Sequence, residues 1–318
     1  MIKVGIIGCK NFLAAELVRI LINHPDVELM WVSDTALADR RLDDVVSGIV
    51  GECDLTVQRE CPLDEVDLIY LCDNRKEVSA LLGSLDVPED VSVIDLSGSH
   101  NQDHGEDKVW RYGLSEMQRR LLVHDPRMVT VPGNAAAVSL LALMPLARNL
   151  LLNSPLELRV ALGIGVLPED GRTIDGMSVE AWARDQQQEV VMALGQCQSS
   201  FNQPVTLSIT PLAERRTLAV AARFKCGVDG DTIRQLYEQY YEDHNFVFMV
   251  DRPILTADVE NTNKCLIRIA KDECSGEVTI HAVMDALLKG CAGNAVHAMN
   301  LMFGLHEKVG LSLKGSGC

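Results

Sequence analysis

The stretch MVTVPGNAAAVSLLALMPLA, residues 128–147, reads as a strand, a Pro-Gly turn and a helix, with Asn134 at the corner. Such a corner is where α/β enzymes mount a reactive side chain, because the amides of a helix N-terminus stabilise developing negative charge. A carboxamide is no nucleophile. Two uses remain for Asn134: its oxygen caps the helix by accepting a first-turn amide, or its amide group donates to a ligand oxygen. Capping is the expectation, since the strong helix AAAVSLLALM needs a cap whether or not a ligand binds.

A second candidate lies in GIIGCKNFLAAE near the N-terminus. Glycine in a strand-to-helix turn lets backbone amides approach a pyrophosphate and lets the helix pack closely on the strand. Gly5 and Gly8 are present, and Asn11 and Ala14 occupy the positions after them. Asn tolerates left-handed backbone, Ala is small, and Lys10 adds positive charge. The turn is a weakened loop for NADP or NAD, or a plain strand-helix connection. Asp34 ends the second strand, near where an acid would grip a ribose 2′-hydroxyl and favour NAD over NADP. The expectation for it is a solvated loop acid.

The elements that must position these residues follow from periodicity. Near-continuous apolar runs, IKVGIIG, VELMWVSD, VDLIYLCD (66–73) and VSVIDLSG (91–98), alternate with helical segments. Runs of that kind suit a parallel sheet buried on both faces, and the βαβα order implies a doubly wound, Rossmann-like sheet. After Asn134 the strands alternate apolar with polar: LELRVALGIGV, VTLSITPL, TLAVAARFKC, CLIRIAKD and EVTIHAVM, with helices around 176–198 and 230–241. Alternation predicts an α+β domain whose mixed or antiparallel sheet has one wetter face. NAVHAMNLMFGLHEKVGL is an apolar-faced helix expected to return to the first domain. The expected division is residues 1–133 with 286–318 as a dinucleotide-binding domain, and 134–285 as a catalytic-type, oligomerising domain.

A chain of 318 residues with 47% hydrophobic and 23% charged residues is globular and long enough for two domains. The net charge of −16 and the lack of any basic stripe argue against nucleic acid. MIKVGIIG is no signal peptide, and no apolar run approaches the roughly 20 residues of a membrane span. The expectation is a cytoplasmic protein without a membrane partner. Ten cysteines are scattered without a CxxC pair or zinc-type spacing, so no metal is expected and most are read as buried thiols.

Several stretches resemble the N-acetyl-gamma-glutamyl-phosphate reductase family, which is related to aspartate-semialdehyde dehydrogenase. They are VGIIG…AELVRILINHPDVEL, VIDLSGSH (93–100), YGLSEMQRR (112–120), VPG (131–133), NTNKCLI (261–267) and LLKGCAGNAVHAMNLMFGL (287–305), in the family's order from end to end of the chain. The resemblance implies a two-domain enzyme of arginine biosynthesis that reduces an acyl phosphate with NADPH. It implies a cysteine thiolate in a PGCYPT corner that displaces phosphate, and a histidine from an HRHxPEI-like segment that handles the proton of the thioester's reduction. A thiolate both attacks and leaves well, and the proton needs a nearby base.

The sequence departs from that pattern at both places. Asn134 stands where the family has its cysteine, and Arg184, Asp185 and Gln186 of ARDQQQEV stand at the His-x-His positions, with Glu189 matching the family's acid. The family's KGAxGQA, placed near its cofactor, is here KGCAGNA with Gly290 and Gly293, and the resemblance leaves Arg172 and Arg216 as substrate-side arginines. Cys291 is the best substitute nucleophile, at the expected start of a helix whose dipole would lower a thiol pKa; Cys9 and Cys72 sit in loops facing the same region. Against each stands the behaviour of free Cys as a small buried hydrophobe.

Three functions follow. The first, and the expectation, is a non-catalytic paralogue that binds a small-molecule ligand or a partner, forms a homodimer or homotetramer, and pairs with an active paralogue. The second is an oxidoreductase acting on a free carbonyl, which needs no thioester. The third is an active reductase working by another route.

Overall fold

The computed structural model describes residues 1–105, 108–124, 126–163, 173–174 and 177–315. Its elements run β1 (Ile2–Ile7), α1 (Phe12–Leu21), β2 (Val27–Ser33), α2 (Leu42–Val45), β3 (Leu68–Leu71), α3 (Arg75–Leu82), β4 (Ser92–Asp95), β5 (Trp110–Tyr112), α4 (Ser115–Val123) and β6 (Met128–Thr130). They continue with α5 (Asn134–Arg148), β7 (Leu156–Gly163), β8 (Thr173–Ile174), β9 (Met177–Ser178), α6 (Val179–Cys197), β10 (Val205–Leu212), β11 (Thr217–Lys225), α7 (Gly230–Tyr241), β12 (Val247–Met249), β13 (Cys265–Asp272), β14 (Glu277–Asp285) and α8 (Gly293–Met302). The chain divides into two compact units, Met1–Pro132 with Cys291–Ser312, and Gly133–Gly290 with Leu313–Cys318.

In the first unit six strands form one sheet in the order β2-β1-β3-β4-β6-β5, and every pairing in it is parallel. Val4, Ile6, the whole of β3, Val93 and Ile94 are fully buried, as a sheet covered on both faces requires. Gly5 is where β1 passes against the Trp31 indole, and a Cβ there would lie 2.3 Å from a ring carbon, too close to be accommodated. The edge strand β5 is three residues long, too short for its alternation to stand out in sequence.

The second unit holds a mixed sheet in the order β10-β7-β11-β14-β13-β12. β7, β11, β14 and β13 pair antiparallel, while β10 and β12 add parallel edges. Leu158, Val160, Leu218, Val220, Ile280, Ala282 and Ile267 make its buried face. The wetter face presents Arg159 opposite Ala221 of β11, which pairs with His281 of β14, which in turn pairs with Arg268 of β13.

Helix α5 is buried from Ala135 to Ala147 without a polar side, apart from Ser139, whose hydroxyl donates to the carbonyl of Ala135 at 2.7 Å. A helix apolar all round is a core helix. Pro145 interrupts it and has no N–H for the carbonyl four residues back, that of Leu141. The hydroxyl of Tyr241, from α7, donates to that carbonyl, and Tyr237 of α7 donates to the next one, Ala142. The proline is therefore tolerated because α7 supplies the missing donor. Tyr241→Phe leaves the Leu141 carbonyl buried and unsatisfied, and a loss of about 1–3 kcal/mol in urea unfolding is expected.

Candidate functional site

The β1–α1 turn of the first unit is built around Gly8, at φ +87°. Its missing side chain makes room for Asp73, whose carboxylate and backbone N would meet any Cβ there. Asn11 caps α1, its Oδ1 accepting from the Ala14 amide at 2.8 Å while its Nδ2 donates to the Cys72 carbonyl. Asp34 is 4% exposed and so corrects the expectation of a solvated acid. Its Oδ2 accepts from the Cys9 amide at 3.1 Å, and its Oδ1 accepts from Ala36 N at 2.9 Å and lies 3.6 Å from Lys10 Nζ. A strand-end acid turned back onto its own loop cannot be told in sequence from one facing water.

Charge around this turn is negative. Burial pushes the Asp73 carboxyl up, Lys10 opposes the rise, and Glu77 and Asp34 add to it. Burial works against the Lys10 ammonium, but Asp34, Asp73 and Glu77 outweigh it and hold its pKa above the usual lysine value. Burial, then Asp34 and Asp73, push the Cys9 thiol up to about 12. Burial also pushes Cys72 well up, with Cys291, Asp73, Asp95 and Cys9 adding to it. Both thiols stay protonated at neutral pH and are poor nucleophiles.

The corner of the second unit corrects the capping expectation. Gly133, not Asn134, is the N-cap of α5, and Asn134 is the helix's first residue. Asn134 Oδ1 is buried with no hydrogen-bond partner among the described residues. The cap comes from α6: Glu189 Oε1 accepts from the Gly133 amide at 3.0 Å, and Gln186 Oε1 accepts from the Ala136 amide at 3.1 Å. Gln186 Nε2 donates to Glu189 Oε2 at 3.4 Å, and the two side chains are 2% and 0% exposed. The Gln186 carboxamide fills the space a Cβ on Gly133 would take. Arg184 of the same helix is exposed.

Other expected site residues serve the fold around this corner. A Cβ on Gly290 would lie 3.3 Å from the Asn134 Cβ and 3.2 Å from the Asp285 carbonyl, so close packing asks for glycine there. Arg216 is paired with Asp285 through Nε at 2.8 Å and Nη2 at 3.3 Å. Asp285, fully buried, also accepts the amides of Asn261, Leu287 and Leu288 at 2.8–3.0 Å. Leu288–Ala292 form a π-helical turn that runs on into α8, so Cys291 lies inside a helical run and not at its first turn. Cys291 is 5% exposed, and Gly293 is buried at the head of α8. Arg172 lies outside the described residues. No group of His, Cys, Asp and Glu among the described residues is arranged to hold a metal.

Two residues in VIDLSGSH escaped the sequence reading: Asp95 ends β4, and His100 hydrogen-bonds to it at 2.8 Å. The available signal was an acid at a strand end followed by a histidine within one loop.

Two measurements check this geometry. Gln186→Ala removes the acceptor of the Ala136 amide and is expected to lower unfolding free energy by about 1–3 kcal/mol, whereas Asn134→Ala, which removes no cap, is expected to cost less. Under native conditions at neutral pH, iodoacetamide is expected to label the exposed Cys274 and to spare Cys9 and Cys72, read by peptide mass spectrometry.

The chain resembles known proteins along its whole length. Residues 3–124 match the family model described as semialdehyde dehydrogenase, NAD binding domain, and residues 185–286 match semialdehyde dehydrogenase, dimerisation domain. N-acetyl-gamma-glutamyl-phosphate reductase of Parabacteroides distasonis is 36% identical over 324 residues, covering 99% of each chain. The protein of that name from Phocaeicola vulgatus is 37% identical over 326 residues, again covering 99% of each. Among solved structures, aspartate semialdehyde dehydrogenase with NADP from Candida albicans superposes with a TM-score of 0.73 at 12% identity, covering 95% of this chain and 98% of that one. Aspartate semialdehyde dehydrogenase II from Vibrio cholerae, complexed with ASA, gives 0.72 at 13%, covering 96% and 98%. These structures share the fold, a Rossmann-like unit followed by an α+β unit; by its full-length relatives, the chain belongs to the N-acetyl-gamma-glutamyl-phosphate reductase family.

Proposed function

We propose that this chain is a divergent member of its family that does not carry out thioester chemistry and acts as a ligand-binding or regulatory paralogue. One observation carries the reading: two amides at the N-terminus of α5, those of Gly133 and Ala136, are held by Glu189 and Gln186 from within the chain. A thiolate at that corner would depend on those amides for stabilisation, and the corner offers Asn134 in its place. Gln186, where the resemblance places a histidine, is a buried carboxamide, a group that neither gains nor loses a proton near neutral pH.

The match to an NAD-binding domain supports a nucleotide cofactor, NADP or NAD. The β1–α1 turn fits a pyrophosphate poorly, because Asn11 and Asp34 occupy the amides of Ala14 and Cys9, and Asp73 and Glu77 add negative charge beside Lys10. Weak binding is the expectation. Retention of Gly8 at positive φ favours the second reading, an oxidoreductase of a free carbonyl. The match to a dimerisation domain supports a homodimer or homotetramer, and a cytoplasmic location, with an active paralogue as partner, goes with this reading.

A reductase assay with N-acetyl-gamma-glutamyl phosphate and NADPH is expected to show no turnover. Turnover that survives replacement of Cys9, Cys72 and Cys291 would overturn the account of the chemistry. Titration with NADP(H) or NAD(H) separates the two readings: saturation at micromolar concentration supports the oxidoreductase. The double variant Asn134→Cys with Gln186→His is expected to regain weak activity if the pocket around the corner is intact.

A further inference from the structure

Within the first unit, β4 ends at the fully buried Asp95, and the loop after it folds back on that carboxylate. Asp95 Oδ1 accepts from Ser97 N at 2.8 Å and from Ser97 Oγ at 2.6 Å, while Oδ2 lies 2.8 Å from His100 Nδ1. Gly98, at φ +75°, makes the reversal between them. With both oxygens of Asp95 acting as acceptors, the imidazole is set as the Nδ1–H donor, which leaves the Nε2 lone pair outward. His100 stacks on Trp110 with ring centroids 3.8 Å apart and planes at 15°, so the ring is clamped on one face as well as at one nitrogen. The side chain is 20% exposed, and Nε2 has no hydrogen-bond partner among the described residues. Ser97 and Ser99 extend the polar loop, their hydroxyls 2.7 Å apart, and Ser99 Oγ donates to the Arg75 carbonyl at 3.0 Å.

The other described histidines of this unit are arranged differently. His104 stacks on Tyr112 and is buried, its pKa held down at about 4 by that burial. His24 bonds to Asn300, and His297 to the buried Glu307, which ties the segment after α8 to that helix. His124 and His306 are exposed, with no carboxylate partner among the hydrogen bonds of the described residues. Among the described residues of this unit, His100 alone joins a buried carboxylate to a solvent-facing Nε2. It does so at the C-terminal edge of a parallel sheet, the edge where open α/β sheets bind ligands.

We propose that Asp95 and His100 form a general-base pair that takes the proton of an O–H group, on water or on a small alcohol ligand, at this edge of the sheet. The proton moves from the hydroxyl oxygen to His100 Nε2, the oxygen keeps the electron pair and adds to an electrophilic carbon, and the imidazolium is held by the Asp95 carboxylate. With an activated ester, the carbon–oxygen bond to the leaving alkoxide then breaks and the proton passes to solvent. His100 is the residue that meets the O–H; Asp95 positions it.

The test uses the full-length protein with p-nitrophenyl acetate as probe. Hydrolysis by the protein is expected to fall about 100-fold in His100→Gln, and equal rates would overturn the proposal. Two measurements on the unaltered chain do not depend on the variant's folding. Long-range nitrogen-proton NMR is expected to show His100 as the Nδ1–H tautomer; an Nε2–H tautomer would overturn the assignment. Diethyl pyrocarbonate, which acylates an accessible neutral imidazole nitrogen, is expected to modify His100 ahead of His104 and to abolish hydrolysis in step. Modification of His124 and His306 with His100 untouched would also overturn the proposal.

Discussion

A helix that runs into a protein core needs acceptors for the backbone amides of its first turn, which have no partner within the helix. In α5 two side chains from α6 meet that requirement for the amides of Gly133 and Ala136, and the corner is packed around them. Gly133 has no side chain because the Gln186 carboxamide occupies its space. Glu189 is tolerated at zero exposure because it accepts from both the Gly133 amide and Gln186. The apolar helix behind this cap can then be buried on every side, with α7 correcting the one defect its proline introduces.

The same internal matching recurs at three of the expected site residues among those described. Arg216 is spent on Asp285, Lys10 faces Asp34, and Asn11 answers the amide it would otherwise leave open. Each pairing is local and individually modest, but together they leave the expected anion-binding positions electrostatically neutral or negative. The chain as a whole carries −16, a surplus of negative charge that these pairings do not offset.

Strand and helix content was legible because the two periodicities differ. The continuous apolar runs of β1 to β4 and the alternation of β10, β13 and β14 come from whether one or both sheet faces are buried. Short edge strands such as β5 and β12 carry too few residues for either pattern. The site was legible only where a residue's role follows from its place in the chain, as with Gly8, the turn glycine after β1, found at φ +87°. Asn134 misled because the cap it was expected to provide comes from α6, some fifty residues later, and no local rule distinguishes an Asn that caps from one that is displaced from that task. Asp34 and Asp95 show the same limit: a strand-end carboxylate declares its partner only once the loop after it has folded.

Gly133 adds a consequence of its own. Because the residue at 186 fills the space above it, the composition of this corner is locked as a set: any change at 186 alters what 133 can be, and any change at 189 strips a buried amide of its acceptor. A substitution at 134 would meet a helix start whose flanking amides, those of Gly133 and Ala136, already have side-chain acceptors. The corner behaves as an interlock, in which the residues at 133, 186 and 189 are each fitted to the other two.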